Sequence, residues 1–201
     1  SEYPNNHKRA HVIIFCMQWP FVSALLGILA FNSQLSWLAL VALAPLFFFF
    51  LTEQRLGRLL AGTALFRLTF LVGTVYFIGD PLLYLISTGL FLGLPITVWF
   101  LHKHISRHLL LISLPLWWTL WDMIQARWTP LPTAIVMWGN AAANTVFLGL
   151  GRWGGIAGLT FFVVSINVLG VVAWHFWKTA WRWHWIGAAA GIIMAIGGVI
   201  R

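Results

Sequence analysis

Apolar residues run along this chain in stretches long enough to cross a lipid bilayer. Each crossing needs about 20 predominantly apolar residues, and charges, prolines and glycines divide the sequence into seven such stretches. The pattern therefore predicts an all-α, polytopic membrane bundle of about seven helices that forms a single transmembrane domain over residues 1–201. The predicted spans lie near residues 11–31, 35–51, 59–79, 82–101, 109–126, 154–176 and 185–200.

The stretch between the fifth and sixth spans departs from this pattern. Residues 129–155 contain two prolines and two asparagines, which makes them too interrupted for a plain span and too apolar for a solvated loop. We predict a re-entrant or interfacial hairpin there. Asn140 and Asn144 are one helical turn apart, so they either hold a polar headgroup or cap the hairpin against the bundle. We favour the cap, because broken backbone at membrane depth needs polar side chains as partners.

Composition agrees with a membrane location, and charge then gives an orientation. Hydrophobic residues make up 61% of the chain and charged residues 8%, which excludes disorder and exceeds what one soluble core of this size buries. The formal charge of +8 is expected of basic loops facing anionic lipid, so we expect no nucleic-acid partner. The basic residues favour a bacterial cytoplasmic (inner) membrane protein with its N-terminus inside and its C-terminus outside. The predicted inner residues are Lys8, Arg9, Arg55, Arg58, Lys103, Arg107, Lys178 and Arg182, and the predicted outer ones are Arg127, Arg152 and Arg201.

Two ionisable residues fall well inside predicted spans, where such groups are costly. Arg67 lies in the third span and Asp122 in the fifth, at depths that differ by roughly 7 to 8 Å, much of which an arginine side chain can bridge. We hypothesise an intramembrane ion pair, because each charge would otherwise be uncompensated in a low-dielectric setting. The alternative is that Arg67 snorkels to the interface and Asp122 faces the outer interface alone.

The sequence gives no self-sufficient catalytic or metal site. Cys16 has no base near it in sequence, and paired carboxylates, a G-x-S-x-G turn and a Walker loop are absent from the sequence. Histidines concentrate near the predicted inner interface, where no carboxylate or cysteine completes a metal cluster. We therefore expect no catalytic residue, no metal and no cofactor other than bound phospholipid. A pigment or haem ligand among the interfacial histidines stays open as an alternative.

Aromatic and small residues suggest two further surfaces. Trp117, Trp118 and Trp121 lie within the fifth span, where they would face neighbouring helices or a lipid-filled groove. Gly187 and Gly191 place small residues on one face of the last span, which is typical of close helix packing. That face would pack within the bundle or against other membrane subunits.

Three short sequence segments resemble a known family. They are Ala42–Leu46 with its proline, Asp122–Arg127 followed by Thr129 and Pro130, and the glycine-rich run from Gly154 with a late asparagine at Asn167. Their order is similar to that in the N-terminal membrane domain of bacterial apolipoprotein N-acyltransferase, over roughly residues 20–200. Arg67 departs from the family pattern, which usually has small or aromatic residues in that span.

The resemblance implies a seven-helix membrane domain that emerges outside into a nitrilase-like domain. It also implies acyl transfer from a phospholipid to the N-terminal cysteine of a lipoprotein, by a Glu-Lys-Cys triad in that second domain. None of those three positions matches a residue of this chain. We therefore expect a non-catalytic membrane module that holds acyl chains in a groove, with its polar candidates at Asn140 and Asn144. The tryptophans expected to line the groove are Trp117, Trp118, Trp121 and Trp138.

Two other functions stay open from the sequence. The first is a stand-alone structural subunit that scaffolds a larger energy-converting or pigment-bearing membrane complex, using the small face of the last span. The second is the membrane part of a complete lipoprotein acyltransferase whose catalytic domain lies beyond Arg201. The presence of such a domain in the native protein, and the identity of any copurifying subunits, would distinguish these alternatives.

Overall fold

A computed structural model describes residues 5–32, 35–74, 81–128, 138–143 and 151–175, and the regular structure in those ranges is entirely helical. This confirms the predicted all-α class. The elements are α1 (Asn5–Asn32), a 3₁₀ turn (Ser36–Leu38), α2 (Ala39–Ala42), α3 (Ala44–Thr52), α4 (Leu56–Thr74), α5 (Pro81–Phe91), α6 (Gly93–His104), α7 (Arg107–Trp128), α8 (Trp138–Ala143) and α9 (Gly151–His175).

Four helical stretches in the described ranges are long and apolar enough to cross a membrane. They are Leu56–Thr74, Pro81–His104, Arg107–Trp128 and Gly154–Trp174. Two shorter apolar segments, Met17–Phe31 and Ser36–Thr52, accompany them. These six segments coincide with the first six predicted spans. The predicted seventh span, near residues 185–200 with Gly187 and Gly191, lies outside the described residues.

Two predicted spans are not single helices. The second span breaks at Leu43, between α2 and α3, and the fourth breaks at Leu92, between α5 and α6. The first break precedes Pro45, which sits in the opening turn of α3, where its missing N–H costs no helical hydrogen bond. At the start of α9, Gly155 has a φ of 60°, a left-handed conformation that glycine adopts without strain. The last described span therefore begins after a kink rather than continuing a straight helix.

The packing order places α9 and α1 on opposite sides of the short helices. α1 packs against α2, α3 and α4, and α9 packs against α2, α3, α7 and α8. α4 contacts α5 and α6, and both of those helices contact α7. The core between them is strongly aromatic and includes Phe47, Phe66, Phe70, Phe91 and Trp118.

Candidate functional site

A buried arginine links three helices in the bundle. Arg67 on α4 is 1% exposed, and its Nη2 donates to Oε1 of Gln125 on α7 at 2.8 Å and to Oγ of Ser87 on α5 at 3.4 Å. Nε2 of Gln125 donates in turn to the backbone carbonyl of Ser87 at 2.6 Å. With Asp122, one turn before Gln125 on α7, these residues form what we name the Arg67 cluster: Arg67, Ser87, Asp122 and Gln125.

Aromatic rings enclose the two charged members of the cluster. The guanidinium carbon of Arg67 lies 4.8 Å from the ring centre of Phe91, in a cation–π arrangement. Oδ2 of Asp122 accepts a hydrogen bond from Nε1 of Trp118, one turn earlier on α7, at 3.0 Å. Trp118 and Phe91 also contact each other, with ring centres 5.0 Å apart. The arginine and the aspartate thus occupy one aromatic-lined interior.

The structure places Arg67 and Asp122 in the same buried cluster without a direct contact within salt-bridge distance. Arg67 donates to Gln125 and Ser87, and the ion pair within that distance in the described ranges joins Arg58 to Glu53 at 3.2 Å. The hypothesis that Arg67 and Asp122 compensate each other's charge stays a prediction. The side chain of Arg67 is buried in the bundle rather than exposed at its surface, which argues against snorkelling.

Two of the predicted groove tryptophans lie in the core instead of at a surface groove. Trp118 makes edge contacts with Phe47 at 5.5 Å and Phe66 at 6.2 Å. Trp138 on α8 stacks on Phe70 at 5.3 Å. Both side chains are fully buried, because these aromatic contacts take up their rings. Trp118 and Trp138 therefore belong to the aromatic core of this structure, and a lipid-lining role for them stays a prediction.

The other two tryptophans of α7 are half-buried. Trp121 donates from Nε1 to Oγ1 of Thr97 on α6 at 3.3 Å, and its ring lies directly over Gly93, where α6 begins. Trp117 is partly exposed beside the apolar face of the same helix. A lipid-contacting role for Trp117 and Trp121 stays a prediction.

Asn167 was absent from the predicted site residues, although it makes the most complete polar site in the core. Its Oδ1 accepts from the backbone N–H groups of Leu43 at 2.8 Å and Ala44 at 3.0 Å. Its Nδ2 donates to the carbonyls of Ala39 at 2.8 Å and Val163 at 2.9 Å. We name this arrangement the Asn167 clamp, because it holds the break between α2 and α3 against α9. Pro45 in the second span, with a late asparagine in the sixth, is the signal that could have indicated it.

The described part of the predicted hairpin is the short helix α8. It packs on α9, and the backbone N–H of Gly139 donates to Oγ1 of Thr160 at 2.9 Å. Gly139 sits so close to α9 that a Cβ there would overlap the carbonyl oxygen of Ile156. Asn140 is half-buried in α8, and Asn144 lies outside the described residues. Both roles considered for the two asparagines, capping the hairpin and holding a headgroup, stay predictions.

Two interfacial histidines contact backbone carbonyls. Nε2 of His102 bonds the carbonyl of Phe50 at 2.6 Å, and Nδ1 of His104 bonds that of Phe100 at 2.8 Å. Across the described ranges, no group of three or more histidine, cysteine or acidic side chains is arranged to hold a metal ion. His102 thus joins α6 to the end of α3.

These features define the class of protein: a polytopic α-helical membrane protein whose core is aromatic and contains two buried polar sites. The family model of the apolipoprotein N-acyltransferase N-terminal domain matches residues 23–169, so the chain belongs to that family. Comparison with curated proteins and with solved structures found no match. The matched range contains the Arg67 cluster and the Asn167 clamp.

Proposed function

We propose that this protein is a membrane module that holds the acyl chains of phospholipids and carries no acyl-transfer chemistry of its own. The family is that of an acyltransferase N-terminal domain, which makes a phospholipid the natural ligand class. We place the module in the bacterial inner membrane, with the N-terminus inside, on the distribution of basic residues. The lipid-holding role and the absence of acyl-transfer chemistry rest on different observations and are tested separately.

The observation that carries the proposal is a row of exposed apolar side chains on α7, with further exposed apolar side chains on the neighbouring helices α5 and α6. Exposed apolar side chains on α7 recur three or four residues apart, which places them on one side of the helix. Neighbouring exposed residues on α5 and α6 extend the same kind of surface. We name this surface the α5–α7 wall: Leu82, Leu85, Ile86, Ile96, Phe100, Leu109, Ile112, Leu116, Leu120 and Met123.

Trp117 and Trp121 add two half-buried indoles to the edge of the α5–α7 wall. Both are half-buried and sit on α7 beside the exposed Leu116 and Leu120. A partly exposed indole offers a rigid apolar edge with few rotatable bonds, against which an acyl chain can pack at low entropic cost. We therefore expect phospholipid chains to reside longest next to these two residues.

Photolabelling tests this expectation. The protein is placed in lipid nanodiscs that contain a phospholipid with a diazirine in its acyl chain, and labelled residues are mapped by mass spectrometry after illumination. The labelling yield is expected to be highest on the α5–α7 wall near Leu116 and lower at Leu25 and Leu29, two exposed apolar residues on α1. Labelling in proportion to exposed area on all helices would contradict the proposal, since bulk lipid alone gives that result.

A tryptophan substitution with a matched control sharpens the same experiment. Trp117→Ala is expected to reduce labelling around Leu116 several-fold, because the apolar edge is lost. Trp37→Ala removes an exposed tryptophan in the 3₁₀ turn far along the chain and should leave labelling of the α5–α7 wall unchanged. Equal effects of the two substitutions would mean that Trp117 holds no particular lipid.

A second assay tests whether the chain catalyses acyl transfer by itself. The purified chain is incubated with phospholipid and a lipopeptide whose N-terminal cysteine has a free amino group. No N-acylated peptide is expected, because the sequence supplies no nucleophile with a base and an orienting group. Turnover would overturn the non-catalytic assignment. The intact mass of the native protein, compared with 22.7 kDa for this chain, then shows whether the module belongs to a larger enzyme.

A further inference from the structure

The Arg67 cluster leaves part of its hydrogen-bonding capacity unused. A guanidinium has N–H donors on Nε, Nη1 and Nη2, and in Arg67 only Nη2 bonds a described residue. Nε and Nη1 are fully buried without a partner among the described residues. A buried donor left in that state loses its hydration without any compensating hydrogen bond. A native core rarely carries such a cost without a further partner.

Three of the four other side chains with an unpartnered buried polar atom in the described ranges lie on the same three helices. Thr63 is one turn before Arg67 on α4, Thr119 is one turn before Asp122 on α7, and Thr88 follows Ser87 on α5. Their buried hydroxyls have no hydrogen-bond partner among the described residues, and the fourth such group is Nε1 of Trp138 on α8. Each of the three hydroxyls therefore lies within one helical turn of a member of the Arg67 cluster along its own helix.

The chemistry of these groups selects the ligand. A cation would be repelled by Arg67, and an added anion would leave excess negative charge because Asp122 already supplies the countercharge. A lipid headgroup would need an opening to the surface, whereas Arg67 and Ser87 are closed off within the bundle. Water is neutral and small, accepts from a guanidinium and donates to a hydroxyl or a carboxylate, and forms about three such bonds when buried.

We propose that the Arg67 cluster binds ordered internal water, which joins Nε and Nη1 of Arg67 to the hydroxyls of Thr63, Thr88 and Thr119. The water completes the hydrogen bonds of a charge held at membrane depth, where ionisable groups face partners or enclosed water. It also links α4, α5 and α7 beyond their direct side-chain contacts. This site is independent of the lipid-holding role proposed for the α5–α7 wall.

Radiolytic labelling in water enriched in ¹⁸O tests the proposal. Brief X-ray pulses split bound water into hydroxyl radicals that oxidise adjacent side chains, even where bulk solvent does not reach. Phe91 and Trp118 border the cluster, so both are expected to incorporate oxygen several-fold faster than Phe50, an aromatic residue that is equally buried. Labelling of Phe91 and Trp118 no faster than that of Phe50 would overturn the proposal, and this comparison needs no variant.

A double substitution provides the second arm. Arg67→Met with Asp122→Asn removes the guanidinium donors while leaving no unpaired charge, so labelling of Phe91 should fall to the level of Phe50. Labelling that persists unchanged would place the water elsewhere and overturn the assignment to Arg67. Native mass spectrometry tests the alternative ligand, a lipid headgroup. A phospholipid that is retained by the wild-type protein and lost from the double variant would mean that a headgroup, and not water, occupies the site.

Discussion

Two buried polar sites in this bundle use their side chains in opposite ways. The Asn167 clamp satisfies both hydrogens of Nδ2 and both acceptor positions of Oδ1 with backbone groups. The Arg67 cluster satisfies one nitrogen of its guanidinium and leaves the other two without a partner among the described residues. Both residues are almost completely buried. Burial therefore does not distinguish them, but the completeness of their hydrogen bonding does.

The difference separates a structural polar residue from a candidate binding site. A helix that breaks within a membrane exposes backbone N–H groups that must find partners inside the protein. Asn167 supplies them at Leu43 and Ala44, and nothing more is required of it. Arg67 stabilises no break of this kind. Its unused donors indicate that the interior around Arg67 is arranged for something besides the chain itself.

The largest effect is expected from leaving one charge of the Arg67 cluster alone. Arg67→Met removes the cation and keeps Asp122 buried, which should lower the free energy of unfolding by about 3–5 kcal/mol. Equilibrium unfolding in mixed micelles, followed by tryptophan fluorescence, measures the change. Asp122→Asn should also destabilise the protein, because it strands the guanidinium.

The double variant is the control for charge. Arg67→Met with Asp122→Asn should recover much of the stability lost in either single variant, since no uncompensated charge remains. If the double variant loses as much as the two single variants together, the two charges do not stabilise each other. Arg67 would then act mainly through Gln125 and Ser87, and the electrostatic part of the comparison would fail.

A somewhat smaller effect is expected at the clamp. Asn167→Ala removes the side-chain acceptor of the Leu43 and Ala44 N–H groups. The N–H of Leu43 still has the carbonyl of Val41 as an acceptor, whereas the N–H of Ala44 loses the partner that Asn167 gives it, and a buried unsatisfied donor costs about 1–3 kcal/mol. Ser165→Ala, on the same helix, removes only a hydroxyl that bonds the carbonyl of Phe161 within α9 and should change stability little. A similar small change for both substitutions would show that the break between α2 and α3 is held by packing alone.

Much of the fold was predictable because length and hydropathy decide it. Helices are the structures that satisfy every backbone group within a single span, so a long apolar stretch specifies one with little ambiguity. Six predicted spans therefore correspond to described helical segments. The breaks at Leu43 and Leu92 were not predicted, because a side chain from a distant helix or a tight contact stabilises each of them. Asn167, for example, lies more than a hundred residues from Leu43.

The site was only half predictable for a related reason. Arg67 and Asp122 were identifiable because an ionisable residue in an apolar span is conspicuous. Gln125 and Ser87 are ordinary polar residues whose importance appears only when α4, α5 and α7 come together. The burial of the individual tryptophans was not predictable, because sequence composition does not distinguish a core indole such as Trp118 from a half-exposed one such as Trp117.

The smallest expected effect tests whether the unpartnered polar groups around the Arg67 cluster bond internal water or have no hydrogen-bond partner at all. Thr119→Val keeps the size and branching of the side chain and removes one buried hydroxyl that has no partner among the described residues. If the hydroxyl bonds internal water, its loss should cost about 0.5–1.5 kcal/mol, as for an ordinary hydrogen bond. If it is unpaired, the apolar replacement should stabilise the protein instead, because a desolvated polar group has been removed.

Ser113→Ala on the same helix is the control: it removes a hydroxyl already bonded to the carbonyl of Leu110 and so measures the cost of losing one local hydrogen bond. A destabilised Thr119→Val would bring the two sites closer together, because a hydroxyl of the second site would then also have a hydrogen-bond partner. A stabilised one would leave the Arg67 cluster as a polar interior without its partner.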